Sequence, residues 1–161
     1  MAHSDPASQM VKTIEEKGEL AMAIAKNNLE LAKDAIGDIF VTITLQAALN
    51  DVDLEAVTDK ALQDEHWLDR NAWLTHCDVK RIFLELDAMS GELSRAVNAL
   101  DGPYIGKWIA DIVLALYVLS DKLDLILDDC IAHALEVIEA RKGKMIGGVF
   151  VKEEDLAEAV A

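Results

Sequence analysis

Ile14-Glu15-Glu16-Lys17-Gly18-Glu19-Leu20 and Lys33-Asp34-Ala35-Ile36-Gly37-Asp38-Ile39-Phe40 place carboxylates inside stretches that otherwise have the composition of buried helix. At 3.6 residues per turn, Glu16 and Glu19, Glu15 and Glu19, and Asp34 and Asp38 each share a helix face. Two facing helices would aim these five acids inward, and acids gathered this way repel one another unless a cation holds them. Hard oxygen donors in such a set suit Mg2+. Burial without a partner would be costly for Glu19, ahead of Leu20, and for Asp38, in the most apolar part of its helix. The plainer alternative has Glu15 and Glu16 facing solvent near a helix start, where acids complement the helix dipole. Gly18 and Gly37, each beside an acid, read as points of close helix approach.

Working outward, Asp5-Pro6 marks the start of a first helix that runs to about Lys26, with Asn27-Asn28 as its break. A second helix spans about 29–49, and a third about 53–62. Residues 63–76 form a connector with a short helix, followed by a long helix over about 77–100. Asp101-Gly102-Pro103 is a turn signal, and two more helices are expected, about 104–123 and 127–141, the last capped by Gly143. The glycine pair in Lys144-Met145-Ile146-Gly147-Gly148-Val149-Phe150-Val151-Lys152 predicts a small hairpin or extended arm.

A shift of 73 residues superposes the chain on itself without gaps. Gly18-Glu19-Leu20 falls on Gly91-Glu92-Leu93, Asp38-Ile39 on Asp111-Ile112, and Asp51 on Asp124. Glu15, Glu16 and Asp34 fall on Ala88, Met89 and Lys107, so only the first half keeps the full acid set. The expected architecture is all-α: a helical bundle of two tandem, diverged repeats (about 9–62 and 77–142), with an arm over 143–161. One acidic site per chain follows, walled by the second half.

With 161 residues, 52% of them hydrophobic, the chain suits a single domain with a substantial core. Its formal charge of −15 argues against sequence-independent binding to nucleic acid or to an anionic membrane. The longest unbroken apolar run, Ile112 to Leu119, is far short of the roughly 20 residues of a membrane span. Met1 to Gln9 is too polar for a signal peptide. Cys77 and Cys130 form no CxxC pair and read as reduced core thiols of a cytoplasmic protein. The four histidines include no HxxxH or HExxH spacing, and no phosphate-binding glycine loop or GxSxG elbow is present. Arg141, Lys142 and Lys144 admit two readings, as phosphate ligands or as ordinary compensation of a helix C-terminus.

The motif around Glu15, Glu16 and Glu19, followed by Ala25-Lys26-Asn27-Asn28 and Lys33 to Asp38, resembles the MazG family of all-α nucleoside triphosphate pyrophosphohydrolases. The small phage and bacterial MazG-like proteins resemble it further, in Gln9 and Lys12 and in the ending from Arg141 to Ile146 and Gly148 to Asp155. One departure stands out: where the wider family has ExxD, this chain reads Ala35-Ile36-Gly37-Asp38, with Asp34 substituting from one residue earlier. The resemblance implies Mg2+ (or Mn2+) held by Glu16, Glu19, Asp34 and Asp38, with Glu15 or Glu16 as general base. It implies contacts to a nucleoside triphosphate from Gln9, Lys12, Lys26, Asn27, Arg141, Lys142 and Lys144. It also implies a homo-oligomer, a dimer above all. Duplicated relatives such as the dimeric-type dUTPases suggest that the second half stands in for a partner subunit. The competing expectation is a catalytically inactive helical interaction or nucleotide-binding protein of the same descent.

Overall fold

Asp5 accepts a hydrogen bond from the Ser8 amide (2.9 Å) and opens α1, Pro6–Ala25, whose first turn admits Pro6 because no amide donor is needed there. The computed structural model describes residues 5–65, 69, 71–140, 143–146 and 149–152. Asn28, Asp53 and Asp78 cap the next helices in the same way, accepting from the amides of Leu31, Ala56 and Arg81. They begin α2 (Leu29–Leu49), α3 (Leu54–Gln63) and α4 (Val79–Ala99). A 3-10 turn, Ala72–His76, precedes α4. The series closes with α5 (Gly102–Lys122) and α6 (Leu127–Ala140), followed by β1 (Gly143–Ile146) and β2 (Val149–Lys152). The strands pair antiparallel, Gly143 opposite Lys152 and Ile146 opposite Val149, as the glycine pair between them predicts. Gly143 therefore starts a strand rather than capping α6.

The 73-residue period extends to backbone detail. Leu29 and Gly102 open helices, Leu49 and Lys122 close them, and Leu54 and Leu127 open the next pair. The left-handed residues recur at the same interval, Asn27 (φ 50°) with Leu100 (φ 56°) and Asp51 (φ 55°) with Asp124 (φ 56°). The two halves thus share turn geometry even where identities have drifted.

Within each half the first two helices form an antiparallel hairpin, α1 on α2 and α4 on α5. The third helix of each half crosses to the other: α3 packs on α5, and α6 packs on α2. Gly37 makes the second crossing possible. A Cβ there would run into the Cys130 carbonyl and lie 2.9 Å from Ala134 Cβ. Gly106 plays a milder part opposite Val57, 3.2 Å from a built Cβ. Gly18 has no such role, with nothing within 4 Å of its built Cβ. The expected close approach therefore holds at Gly37 alone of the two glycines beside acids.

The shared core runs through Leu20, Ile36, Ile39 and Ile43 into Leu86, Leu93, Ile109, Ile112 and Leu116, all at most 2% exposed. Fully burying each such side chain contributes about 1.5–3 kcal/mol. Helix α5 is long and apolar enough to cross a membrane, yet its Ile105, Ile109, Ile112, Leu116 and Leu119 form the middle of this core. The halves are also joined at the surface by Lys17 Nζ and Asp87 Oδ1, 2.7 Å apart. Both cysteines are buried and free, Cys77 between the 3-10 turn and α4 rather than on a helix.

Two residues break the local rules. Gln46 is fully buried, and neither of its amide atoms has a hydrogen-bond partner among the described residues; its counterpart in the second half is Leu119, also fully buried. Leaving buried polar groups unpaired costs about 1–3 kcal/mol. Gln46→Leu should therefore raise unfolding free energy by about that amount in chemical denaturation. Leu100 holds a left-handed backbone at about 1–2 kcal/mol, while its counterpart Asn27 tolerates that region more readily. Leu100→Asn should stabilise by about 0.5–1 kcal/mol in the same assay, since the side chain is mostly exposed and little packing is lost.

Candidate active site: a two-ended cleft between the first two helices

The buried stripe of α1 is Gln9, Met10, Thr13, Glu16, Leu20 and Ala23, a helical repeat that includes one glutamate. Glu15 lies 100° away around the helix, and Glu19 sits at the stripe's edge; both are exposed. On α2 the buried set includes Asp38 and Thr42, four residues apart on one face. The two stripes meet around a cleft of about 340 Å³ lined by Gln9, Lys12, Glu16, Asp38, Val41, Thr42, Leu45 and Ile138.

One end of the cleft is charged. Lys12 Nζ lies 2.8 Å from Glu16 Oε1 and 2.9 Å from Glu15 Oε2. Burial alone would depress the Lys12 pKa, but the hydrogen bonds to Glu16 and Glu15, aided by their charges, outweigh it and hold the pKa above the ordinary lysine value. Asp38 is buried and engaged in interactions of its own. The other end is apolar, with Val41, Leu45 and Ile138 as walls, and Leu45 is half exposed. Between the ends, Gln9 Nε2 donates to the Thr42 carbonyl (3.3 Å) and Thr42 Oγ1 donates to the Ile39 carbonyl (2.8 Å).

A second acidic pair lies outside the cleft lining. The Glu19 pKa is raised, first by partial burial and then by the charge of Glu16, with Glu15 and Asp34 adding to the effect and Lys12 opposing it. Glu19 therefore feels Glu15, Glu16 and Asp34 at once. Asp34 Oδ1 is 3.4 Å from His133 Nε2 on α6. Among the described residues, no three His, Cys, Asp or Glu side chains are gathered closely enough to form an assembled metal centre. The donor chemistry still fits a hard divalent cation, because Glu16, Glu19, Asp34 and Asp38 are all carboxylates and the charges of Glu16, Glu15 and Asp34 bear on Glu19.

The predicted residues thus divide. Gln9, Lys12, Glu16 and Asp38 share the cleft. Glu15 touches it through Lys12, and Glu19 and Asp34 flank it, so the expectation that all five acids point inward is corrected by the narrowness of the α1 stripe. Lys26 and Asn27 are exposed at the turn between α1 and α2, outside the cleft lining, where Asn27 supplies the left-handed backbone. Arg141 and Lys142 fall outside the described residues; Lys144 lies in β1, opposite Val151. Ala35, where the wider family has glutamate, is 1% exposed and belongs to the core. His133, which reads as solitary in the sequence, is the partner of Asp34. Thr42 and Leu45 were within reach of sequence reasoning, at i+4 and i+7 from Asp38; Ile138 and His133 had no local signal.

In the second half the chemistry is reversed. Lys107, the counterpart of Asp34, bonds Asp111 Oδ2 at 2.9 Å and lies 3.3 Å from the centre of the Trp108 ring. Asp111, the counterpart of Asp38, is only 2% exposed. An ammonium occupies the position that is a carboxylate in the first half.

An all-α bundle whose leading helical hairpin carries paired acids over a cleft defines the class. A family model for the MazG nucleotide pyrophosphohydrolase domain matches residues 4–64, the segment spanning α1 to α3. An uncharacterized 18.2 kDa protein in the rep-hol intergenic region of Haemophilus phage HP1 (strain HP1c1) is 32% identical over 139 residues, covering 82% of this chain and 85% of that protein. No solved structure matches. The chain belongs to the MazG family.

The raised Glu19 pKa has a definite pH signature. The folded state binds this proton more tightly than the unfolded chain, so ionised Glu19 lowers stability above its ordinary value of 4.5. Glu19→Gln should raise Tm at neutral pH in the absence of divalent cations. The gap should close as pH falls through the raised pKa and below 4.5, which thermal melts across pH will show.

Proposed function

We propose that the cleft binds a nucleoside triphosphate with Mg2+ (or Mn2+) and hydrolyses it to the monophosphate and pyrophosphate, in cytoplasmic nucleotide-pool house-cleaning. The observation that carries this reading is the cleft's two-ended lining: Lys12, Glu16 and Asp38 at one end, Val41, Leu45 and Ile138 at the other. A nucleotide has the same division, a polyanion joined to a flat, largely apolar base. The free, buried thiols agree with a reducing compartment.

Glu16 and Asp38, with Glu19 and Asp34 beside them, would hold the cation. Bound there, it supplies charge neutralisation for the phosphates and a more acidic water. The chain's own groups do the rest. Lys12 reaches the polyphosphate from α1 and steadies charge as it moves toward the leaving group. Val41, Leu45 and Ile138 exclude water from the base, while Gln9 and Thr42 offer polar contacts along its edge. Glu16 is the candidate base that lines the cleft, whereas Glu15 stands outside it. A water oxygen bonds to phosphorus at the α–β bridge, its proton passes to the carboxylate, and the bridging P–O bond breaks. The electron pair leaves on the bridging oxygen of the departing product, pyrophosphate when the α phosphorus is attacked, and the bulk takes up the proton afterwards.

A second reading, a nucleotide-binding or interaction protein without catalysis, draws support from Ala35 in the core and from the separation of the acids into two pairs. Asp38→Asn separates the two. On the catalytic reading it lowers Mg2+-dependent pyrophosphate release by at least about 10²-fold, the equivalent of several kcal/mol of lost charge stabilisation, with the helical circular dichroism unchanged. If the parent protein releases no pyrophosphate from a panel of nucleotides, yet a nonhydrolysable triphosphate binds it with Mg2+, the binding reading takes its place.

A further inference from the structure

The cleft carries its own cation. Lys12 Nζ bridges Glu15 and Glu16 at 2.9 and 2.8 Å. The two ends of this bridge differ in freedom: the Glu16 side chain is 7% exposed, whereas that of Lys12 is 46% exposed. A lysine stem of four methylenes can swing in solvent, while a carboxylate packed into a helix stripe cannot. The contrast with the second half sharpens this. There Lys107 sits on Asp111 and against the Trp108 ring, and the counterpart of Glu16 is Met89, which offers no metal ligand. That ammonium pairs with Asp111 where no glutamate stands at the position of Glu16. Lys12, by contrast, lies on an oxygen that a divalent cation would also claim.

We propose that Lys12 is the exchangeable counter-ion of the acidic cleft: it neutralises Glu16 in the free protein, yields that carboxylate to the metal, and moves to the phosphates of the incoming nucleotide. This rests on reading the cleft as a metal-dependent triphosphate site. It adds that metal and triphosphate bind cooperatively. Metal alone must displace an ammonium that then has no partner, whereas metal with triphosphate moves the ammonium from one anion to another. Lys12 therefore opposes metal binding to the free protein and favours it in the ternary complex, two effects of opposite sign from one side chain.

The test uses the full chain and Lys12→Met, which keeps the stem and removes the charge. Mg2+ is titrated calorimetrically into each protein, alone and with a nonhydrolysable nucleoside triphosphate. Lys12→Met should bind Mg2+ alone about 5- to 10-fold tighter than the parent and lose most of the enhancement that triphosphate confers, within the usual 5–150-fold range of such coupling. Its Tm in EDTA should fall below the parent's, and Mg2+ should raise it more. Lys12→Arg, which keeps the charge in a form that grips carboxylates, should weaken Mg2+ binding to the free protein and retain the triphosphate enhancement. If the parent binds Mg2+ and Lys12→Met binds it no more tightly, Lys12 is not the counter-ion and the proposal fails while the metal reading stands. If no protein binds Mg2+ with or without triphosphate, the metal reading falls, and this proposal with it.

Discussion

Helix α6 can lie on α2 only because residue 37 has no side chain. The Cys130 carbonyl occupies the space a Cβ would need, and Ala134 closes the rest. Much depends on that contact. It carries Ile138 to the rim of the cleft and His133 to Asp34, so the second half contributes to the first half's site through one crossing helix. The reciprocal crossing, α3 on α5, tolerates Ala110 at the position equivalent to Gly37 and leaves a wider gap, about 510 Å³, beside Asp111 and Lys107. The two crossings are thus unequal, with glycine at one and alanine at the other.

Charge compensation follows the same division. Every buried carboxylate in a low-dielectric bundle needs an opposing charge or hydrogen-bond donors. In the second half Lys107 meets that need from within, at the position of Asp34, by pairing with Asp111. In the first half Lys12 meets it from the rim, beside an acid set whose repulsion still shows at Glu19. With Met89 and Lys107 at the positions of Glu16 and Asp34, the second half has neither that repulsion nor those ligands.

The legible parts of the site were those with helical periodicity. Glu16, Asp38, Gln9 and Lys12 fall on faces that spacing alone identifies, and all four line the cleft. Glu15 and Glu19 were misjudged because sharing a face with each other is not the same as sharing the buried face; the stripe of α1 is one residue wide at that level. Gly18 was misread for the same reason, being beside an acid but on the solvent side. Lys26 and Asn27 stand at the turn after α1, outside the cleft lining, and Asn27 has a left-handed backbone there.

What the amino-acid sequence determined by itself was the all-α class, the extents of the six helices of the two repeats, the start of the first at Asp5-Pro6, and the half in which the acids lie. Each of these rests on interactions within a few residues: N-caps, backbone sterics and apolar periodicity. Only the tertiary structure decided which acids are buried, that α3 and α6 exchange halves, and that His133 and Ile138 reach the site from about a hundred residues downstream. Those outcomes depend on how two helices approach, down to the presence of one Cβ, and local pattern carries no information about a neighbour that arrives from the far end of the chain.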